Sequence, residues 1–176
     1  NAIGTLRLLE AIRNLGLENK TRFYQASTSE LFGNVSQEPQ NEKTPFHPRS
    51  PYAVAKLYAY WTTINYREAY GIYACNGILF NHESPLRPPD SVARKIAGSV
   101  AEISLGIQKT IPIGNANVVK EWMWAGDAVS AIVHLLNQNE LFEVCIGDGI
   151  GRSVRDYALA CCEAVGITLD DYLIEM

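Results

Sequence analysis

The sequence predicts an α/β protein built on a parallel, doubly wound sheet, and three observations carry that prediction. Short runs with strand character alternate with longer, breaker-free runs of helical character along the 176 residues. The run Tyr73 to Phe80 is nearly all apolar, as central strands of a parallel sheet tend to be. Two polar clusters, Thr28–Glu30 and Asn81–Glu83, follow directly on strands. Sheets of this class bind ligands beyond the carboxyl ends of their strands.

Taken in order, residues 1–15 place Ile3, Leu6, Leu9 and Ile12 at helical spacing, and Gly16 is a plausible C-cap. Arg22 to Ser27 carries two aromatics and reads as a buried strand. Ser27-Thr28-Ser29-Glu30 has the spacing of a helix-capping box, with a hydroxyl three residues before a carboxylate. A polar, Pro-containing loop over 34–51 leads to a helix from Tyr52 to about Tyr70, with Pro51 in its first turn and Gly71 as its stop. Tyr73 to Phe80 is the next strand. A Pro-rich joint at Leu86–Asp90 precedes a helix over Ser91–Leu105 and a short strand, Thr110–Ile113, placed at an edge because Pro112 cannot donate to a ladder. A helix at 126–138, a strand at Phe142–Ile146 and a helix at Val154–Val165 complete the series.

Composition narrows the class. Hydrophobic residues make up 47% and charged residues 19%, as in ordinary globular chains. A net charge of −4 argues against nucleic acid or an anionic membrane surface as partner. No apolar run approaches the ~20 residues that span a bilayer. Cys75, Cys145, Cys161 and Cys162 show no C-x-x-C spacing and read as free thiols, which places the protein in a reducing, cytoplasmic compartment. The three histidines are scattered, and no metal site is expected.

Tyr52 and Lys56 stand four apart, so a helix puts the phenol and the ammonium on one face. A free tyrosine is a poor base at neutral pH, and a nearby cation is expected to lower its pKa. Such a pair suits removal of a hydroxyl proton while hydride leaves the same carbon. By itself Tyr-x-x-x-Lys is weak, since nine tyrosines and six lysines make a chance match common, and most such pairs are a solvated helix face. Thr28 adds a hydroxyl for a substrate oxygen. Glu30 adds a carboxylate able to take a carbon acid's proton and return it to a leaving hydroxyl, which points to elimination as well as redox. Gly147-Asp-Gly149-Ile-Gly151 imitates a dinucleotide fingerprint, but position 152 is Arg, so a tight turn near the substrate is the better reading. No G-x-S-x-G elbow supports a hydrolase. Trp122 and Trp124 read as core or lid packing.

Longer stretches carry a resemblance: Gly4-Thr-Leu-Arg-Leu-Leu-Glu-Ala11, Arg22-Phe-Tyr-Gln-Ala-Ser-Thr-Ser-Glu-Leu-Phe-Gly33, Arg49-Ser-Pro-Tyr-Ala-Val-Ala-Lys-Leu-Tyr-Ala-Tyr-Trp61 and Asn76-Gly-Ile-Leu-Phe-Asn-His-Glu-Ser-Pro85. The chain resembles the extended short-chain dehydrogenase/reductase superfamily and, within it, the GDP-mannose 4,6-dehydratase family. The resemblance implies the later half of a Rossmann-like sheet over 1–85 and part of a small nucleotide-sugar-binding region over 86–176. It implies an NADP-dependent lyase that converts GDP-mannose to GDP-4-keto-6-deoxymannose and assembles as a dimer or tetramer when full length. Thr28, Glu30, Tyr52 and Lys56 would be catalytic, with Lys56 also on the nicotinamide ribose. His82 and Arg87 would touch NADP, and Asn81, Lys95 and Lys120 the nucleotide sugar.

After Pro85 the match thins. Leu86-Arg87-Pro88-Pro89 stands where the family pattern has Arg-Arg-Gly-Glu, and Lys120-Glu-Trp-Met-Trp124 where it has Arg-Asp-Trp-Gly-His. Lys120 keeps the charge of the arginine but loses its bidentate fork. Two alternatives stay open: another dehydratase, epimerase or decarboxylase of nucleotide sugars, and a non-catalytic homologue. The family's Gly-rich loop is not among these residues, and the chain opens inside a helix. It is therefore expected to be an inactive piece of a longer protein.

Overall fold

The structure is a computed structural model and describes residues 1–140 and 142–175. Two compact units are formed, one from Asn1–Phe80 with Gly126–Gly147 and one from Asn81–Ala125 with Asp148 onward. The Pro-rich joint at 86–90 lies in the second unit, and the chain returns to the first at Gly126.

In the first unit, helix α1 (Ala2–Asn14) leads to strand β1 (Arg22–Thr28) and a 3-10 turn at Ser29–Leu31. Helix α2 (Pro51–Tyr70) starts at a Ser50 N-cap with Pro51 in the first turn. It ends at Gly71, whose φ of 67° closes the left-handed C-cap that L side chains resist. Strand β2 (Tyr73–Leu79) pairs in parallel with β1 on one side; on its other side it pairs with a strand from near residue 143, described below. Seven residue pairs join β1 to β2, from Arg22 with Tyr73 to Thr28 with Leu79, so both strands end together. The α/β class and the parallel sheet expected from the sequence are what is found. Leu9 and Ile12 of α1 meet Tyr66, Ile72 and Ala74 in one apolar cluster, and Tyr60 and Ile64 of α2 meet Leu31, Phe32 and Ile78 in another.

The second unit opens with β3 (His82–Glu83) and helix α3 (Val92–Ser104), capped by the Ser91 hydroxyl. Strand β4 (Ile111–Ile113), β5 (Val119–Lys120) and β6 (Met123–Trp124) are short. Helix α4 (Ala125–Leu136) begins at the last residue of this stretch and otherwise belongs to the first unit, as does β7 (Glu143–Ile146), the second partner of β2. Strand β8 (Arg152–Ser153), helix α5 (Val154–Val165) and β9 (Leu173–Glu175) return to the second unit. Its core is the facing surfaces of α3 and α5 with β4: Ile96, Val100 and Ile103 against Ala158, Cys162, Ile111 and Ile113. The sequence signals show β4 but not its parallel partner β9, nor the two-residue ladders β3–β6 and β5–β8. Elements that short have no periodicity to read. Among the described residues, no helix is long and apolar enough to cross a membrane.

A polar network ties the first unit's strands together from inside. Asn76, fully buried on β2, accepts from the Ser27 hydroxyl at 3.2 Å and donates to Glu143 Oε1 at 3.3 Å. Glu143 in turn takes two bonds from the Arg67 guanidinium, at 2.8 and 3.2 Å, and Arg67 also donates to Ala74 O. All three strands and α2 are thus linked through groups that would be costly to bury unpaired. Beside this network the Tyr24 ring lies over Gly77, where a Cβ would sit 2.1 Å from the phenol oxygen. Glycine at 77 is what leaves room for the phenol end of that ring.

Candidate active site

The carboxyl end of β1 supplies Thr28 and, one turn on, Glu30. Thr28 caps the 3-10 turn: its hydroxyl accepts the Glu30 N–H at 3.2 Å. The three-residue capping spacing from Ser27 is therefore not used: the cap is Thr28, two residues before Glu30, and the element is a single 3-10 turn. Ser27 is instead buried and spent on Asn76. The first turn of α2 supplies Tyr52, with 44% of its surface exposed. Lys56 follows one turn later, its Nζ 5.7 Å from the centre of the Tyr52 ring.

Helical spacing does put Tyr52 and Lys56 together, yet the electrostatics differ from expectation. The Tyr52 phenol is held above its ordinary pKa, first by burial and then by the Glu30 carboxylate, with a Thr28 hydrogen bond opposing both. The Lys56 ammonium donates to Ala26 O at 2.8 Å and so is drawn toward the β1 backbone. Burial pushes the Lys56 pKa down. Thr28 and Glu30 both act on Tyr52, so three of the four residues singled out by sequence share one electrostatic neighbourhood.

The second unit holds the other candidates. Asn81 accepts the Met123 N–H through its backbone carbonyl at 3.3 Å, and His82 pairs with Met123 on the β3–β6 ladder. Arg87 is drawn to Glu83, with Nε 2.8 Å from Oε2. That contact neutralises the half-buried carboxylate, although no N–H points along it as a hydrogen bond. Lys95 is exposed on α3, and Lys120 lies on β5 directly across from Arg152. Lys95 and Lys120 make no side-chain hydrogen bond or ion pair among the described residues. Arg152 itself is paired to Asp148 at 3.1 Å.

Glu121 went unnoticed in the sequence. Its Oε2 accepts the N–H groups of Asp148 and Gly149, at 2.8 and 3.3 Å. The Gly147–Gly151 stretch is therefore a turn whose amides hold a carboxylate of the chain itself. Trp122 stacks on Tyr157 with ring centres 4.5 Å apart and donates to Arg152 O at 3.0 Å, which is packing, while Trp124 stays 54% exposed. No local signal marks the role of Glu121, because its partners lie 27 and 28 residues away.

A family model described as GDP-mannose 4,6 dehydratase matches residues 1–175. The chain belongs to the GDP-mannose 4,6-dehydratase family. The GDP-mannose 4,6-dehydratase of Vibrio cholerae serotype O1 is 56% identical over 170 residues, covering 97% of this chain and 46% of that protein. The chain thus spans about half the length of this family relative. Among solved structures, RMD from Pseudomonas aeruginosa complexed with NADPH superposes with a TM-score of 0.91 at 24% identity, over 99% of this chain and 60% of the other. The dTDP-glucose 4,6-dehydratase of Bacillus anthracis, in complex with NAD, gives 0.83 at 24% identity, over 99% and 55%. At those identities the two structures speak to the fold, which is that of the family's Rossmann-like sheet.

Proposed function

We propose that the protein carrying this chain is an NADP-dependent hydro-lyase that converts GDP-mannose to GDP-4-keto-6-deoxymannose. The observation that carries the proposal is the placement of Thr28, Glu30 and Tyr52 in one neighbourhood at the end of β1, in a chain of this family. Lys56 suits a nicotinamide ribose: its half-buried ammonium has one acceptor among the described residues, leaving N–H capacity for hydroxyls. The NADPH and NAD complexes of the two solved relatives support a nicotinamide cofactor, and family membership favours NADP.

A bound nicotinamide would supply the hydride acceptor for C4 of the sugar and the hydride donor for C6. The chain's own residues do the proton work. Tyr52 takes the C4 hydroxyl proton while Thr28 hydrogen-bonds the same oxygen. A ketone at C4 acidifies C5–H, and Glu30 removes that proton and passes one to the departing C6 hydroxyl, so that water leaves; once C6 has received hydride, C5 takes a proton in turn, which balances the one Tyr52 removed from the C4 hydroxyl. Asn81, Lys95 and Lys120 would hold the nucleotide sugar, and His82 and Arg87 the cofactor. A reducing compartment such as the cytoplasm would keep the four cysteines reduced.

Turnover of GDP-mannose, followed by appearance of the 4-keto product, tests the proposal. Tyr52→Phe is expected to lower kcat by about 10²–10⁴-fold, the usual worth of a positioned acid or base. Glu30→Gln is expected to stop water loss. Unchanged turnover in Tyr52→Phe would remove Tyr52 as the base. Turnover of a different nucleotide sugar in place of GDP-mannose would overturn the substrate.

A further inference from the structure

We propose that Ser50 is a positioning residue for Glu30, fixing its carboxylate to the start of the helix that carries Tyr52; this rests on the function proposed above. The Ser50 hydroxyl donates to Glu30 Oε2 at 3.4 Å and accepts the Ala53 N–H at 3.1 Å. A hydroxyl has one proton and two lone pairs, so capping the helix leaves its proton for the carboxylate. One side chain therefore joins two elements that are twenty residues apart in sequence.

Glu30 needs such a tie. It sits exposed on a single 3-10 turn, and Thr28 holds only its main chain. A free glutamate side chain spreads over several rotamers, most of which aim the carboxylate away from a given C–H. Ser50 selects among them, and through the α2 cap it does so in register with Tyr52. The 3.4 Å contact is long for an O–H···O bond, and contacts of this kind tighten once substrate is bound. The two protons that must be removed sit on O4 and on C5, the two atoms bonded to C4 on either side of it. Coupling the two bases to one helix start matches that geometry.

Capping and positioning are separable by substitution. Glycine replaces serine at an N-cap with little loss of helix stability, whereas alanine does not. Ser50→Gly should therefore leave Tm nearly unchanged while lowering kcat by about 10-fold or more, in line with the cost of a misplaced reacting group. KM for GDP-mannose should hardly move. The isotope effect with 5-deuterated GDP-mannose should rise, because the step served by Glu30 becomes slower. Ser50→Thr, which keeps both the cap and the donor, should restore kcat and the isotope effect. A Ser50→Gly protein with ordinary kcat and isotope effect would show that the hydroxyl only caps the helix, and so would a kcat that tracks Tm across the glycine, alanine and threonine variants. Absence of GDP-mannose turnover in the unsubstituted protein would remove the function and the role of Ser50 together. Turnover indifferent to Ser50 would remove the role of Ser50 alone.

Discussion

In the first unit, β1 and β2 share seven paired residues and β2 and β7 four, whereas among the described residues no ladder of the second unit has more than three. The difference shows in how each unit holds its polar residues. A long parallel ladder brings strand ends into line, so Thr28 and Glu30 inherit their place from the sheet and need only a cap and a hydroxyl to finish it. Lys120, on a two-residue ladder, depends on its neighbours: Glu121 pinned to the Asp148 turn, Trp122 stacked on Tyr157, and Gly151 pressed against Val119. A site built on sheet ends is positioned by backbone. A site built on short ladders is positioned by side chains, and each of those is one substitution from being lost.

The largest test of that contrast is at Glu143. Its removal strands Arg67 and Asn76 among three strands and a helix, and Glu143→Ala should cost about 3 kcal/mol in denaturant unfolding. The corresponding break in the second unit, Asp170→Ala, removes the ion pair from Arg155 to an exposed carboxylate and should cost less than about 0.5 kcal/mol. Similar losses at the two positions would mean that the second unit relies on its ion pairs as much as the first.

A smaller effect is expected from added methyl groups. Gly77→Ala drives a Cβ into the Tyr24 phenol, whose oxygen is buried, and should destabilise by about 1–3 kcal/mol. Gly151→Ala meets only the Val119 Cγ1 at 2.8 Å, on an exposed side chain that can turn aside, and should cost no more than about 1 kcal/mol. Paired urea melts of the two variants would check the order, and a larger loss at Gly151 would reverse the comparison.

The smallest effect lies in the second unit's own chemistry. Lys120→Arg should tighten GDP-sugar binding by ~1 kcal/mol, since a guanidinium can bond two phosphate oxygens where an ammonium offers a point charge. Titration calorimetry on both forms reads it. An unchanged Kd would mean that Lys120, facing Arg152 across the ladder, does not touch the diphosphate.

Local signals account for what the sequence determined by itself. Apolar spacing and end residues mark α1, α2, α3 and α5: Gly71 and Gly166 adopt the left-handed C-caps, and Ser50, Ser91 and Ser153 accept N–H groups at the N-caps. Those signals act over three or four residues and are written in the chain. The same range puts Tyr52 one turn from Lys56, and the phrases around them name the family. Tertiary structure alone decided what those residues touch. Lys56 turns to Ala26 O across thirty residues, Ser50 reaches Glu30 across twenty, Glu121 enters a turn near residue 148, and burial with a neighbouring carboxylate sends the Tyr52 pKa up where the adjacent cation suggested down. Each of these depends on which strand end meets which helix start. Ladder pairing settles that by burying apolar faces over the whole sheet, a sum to which no short stretch of sequence holds the key.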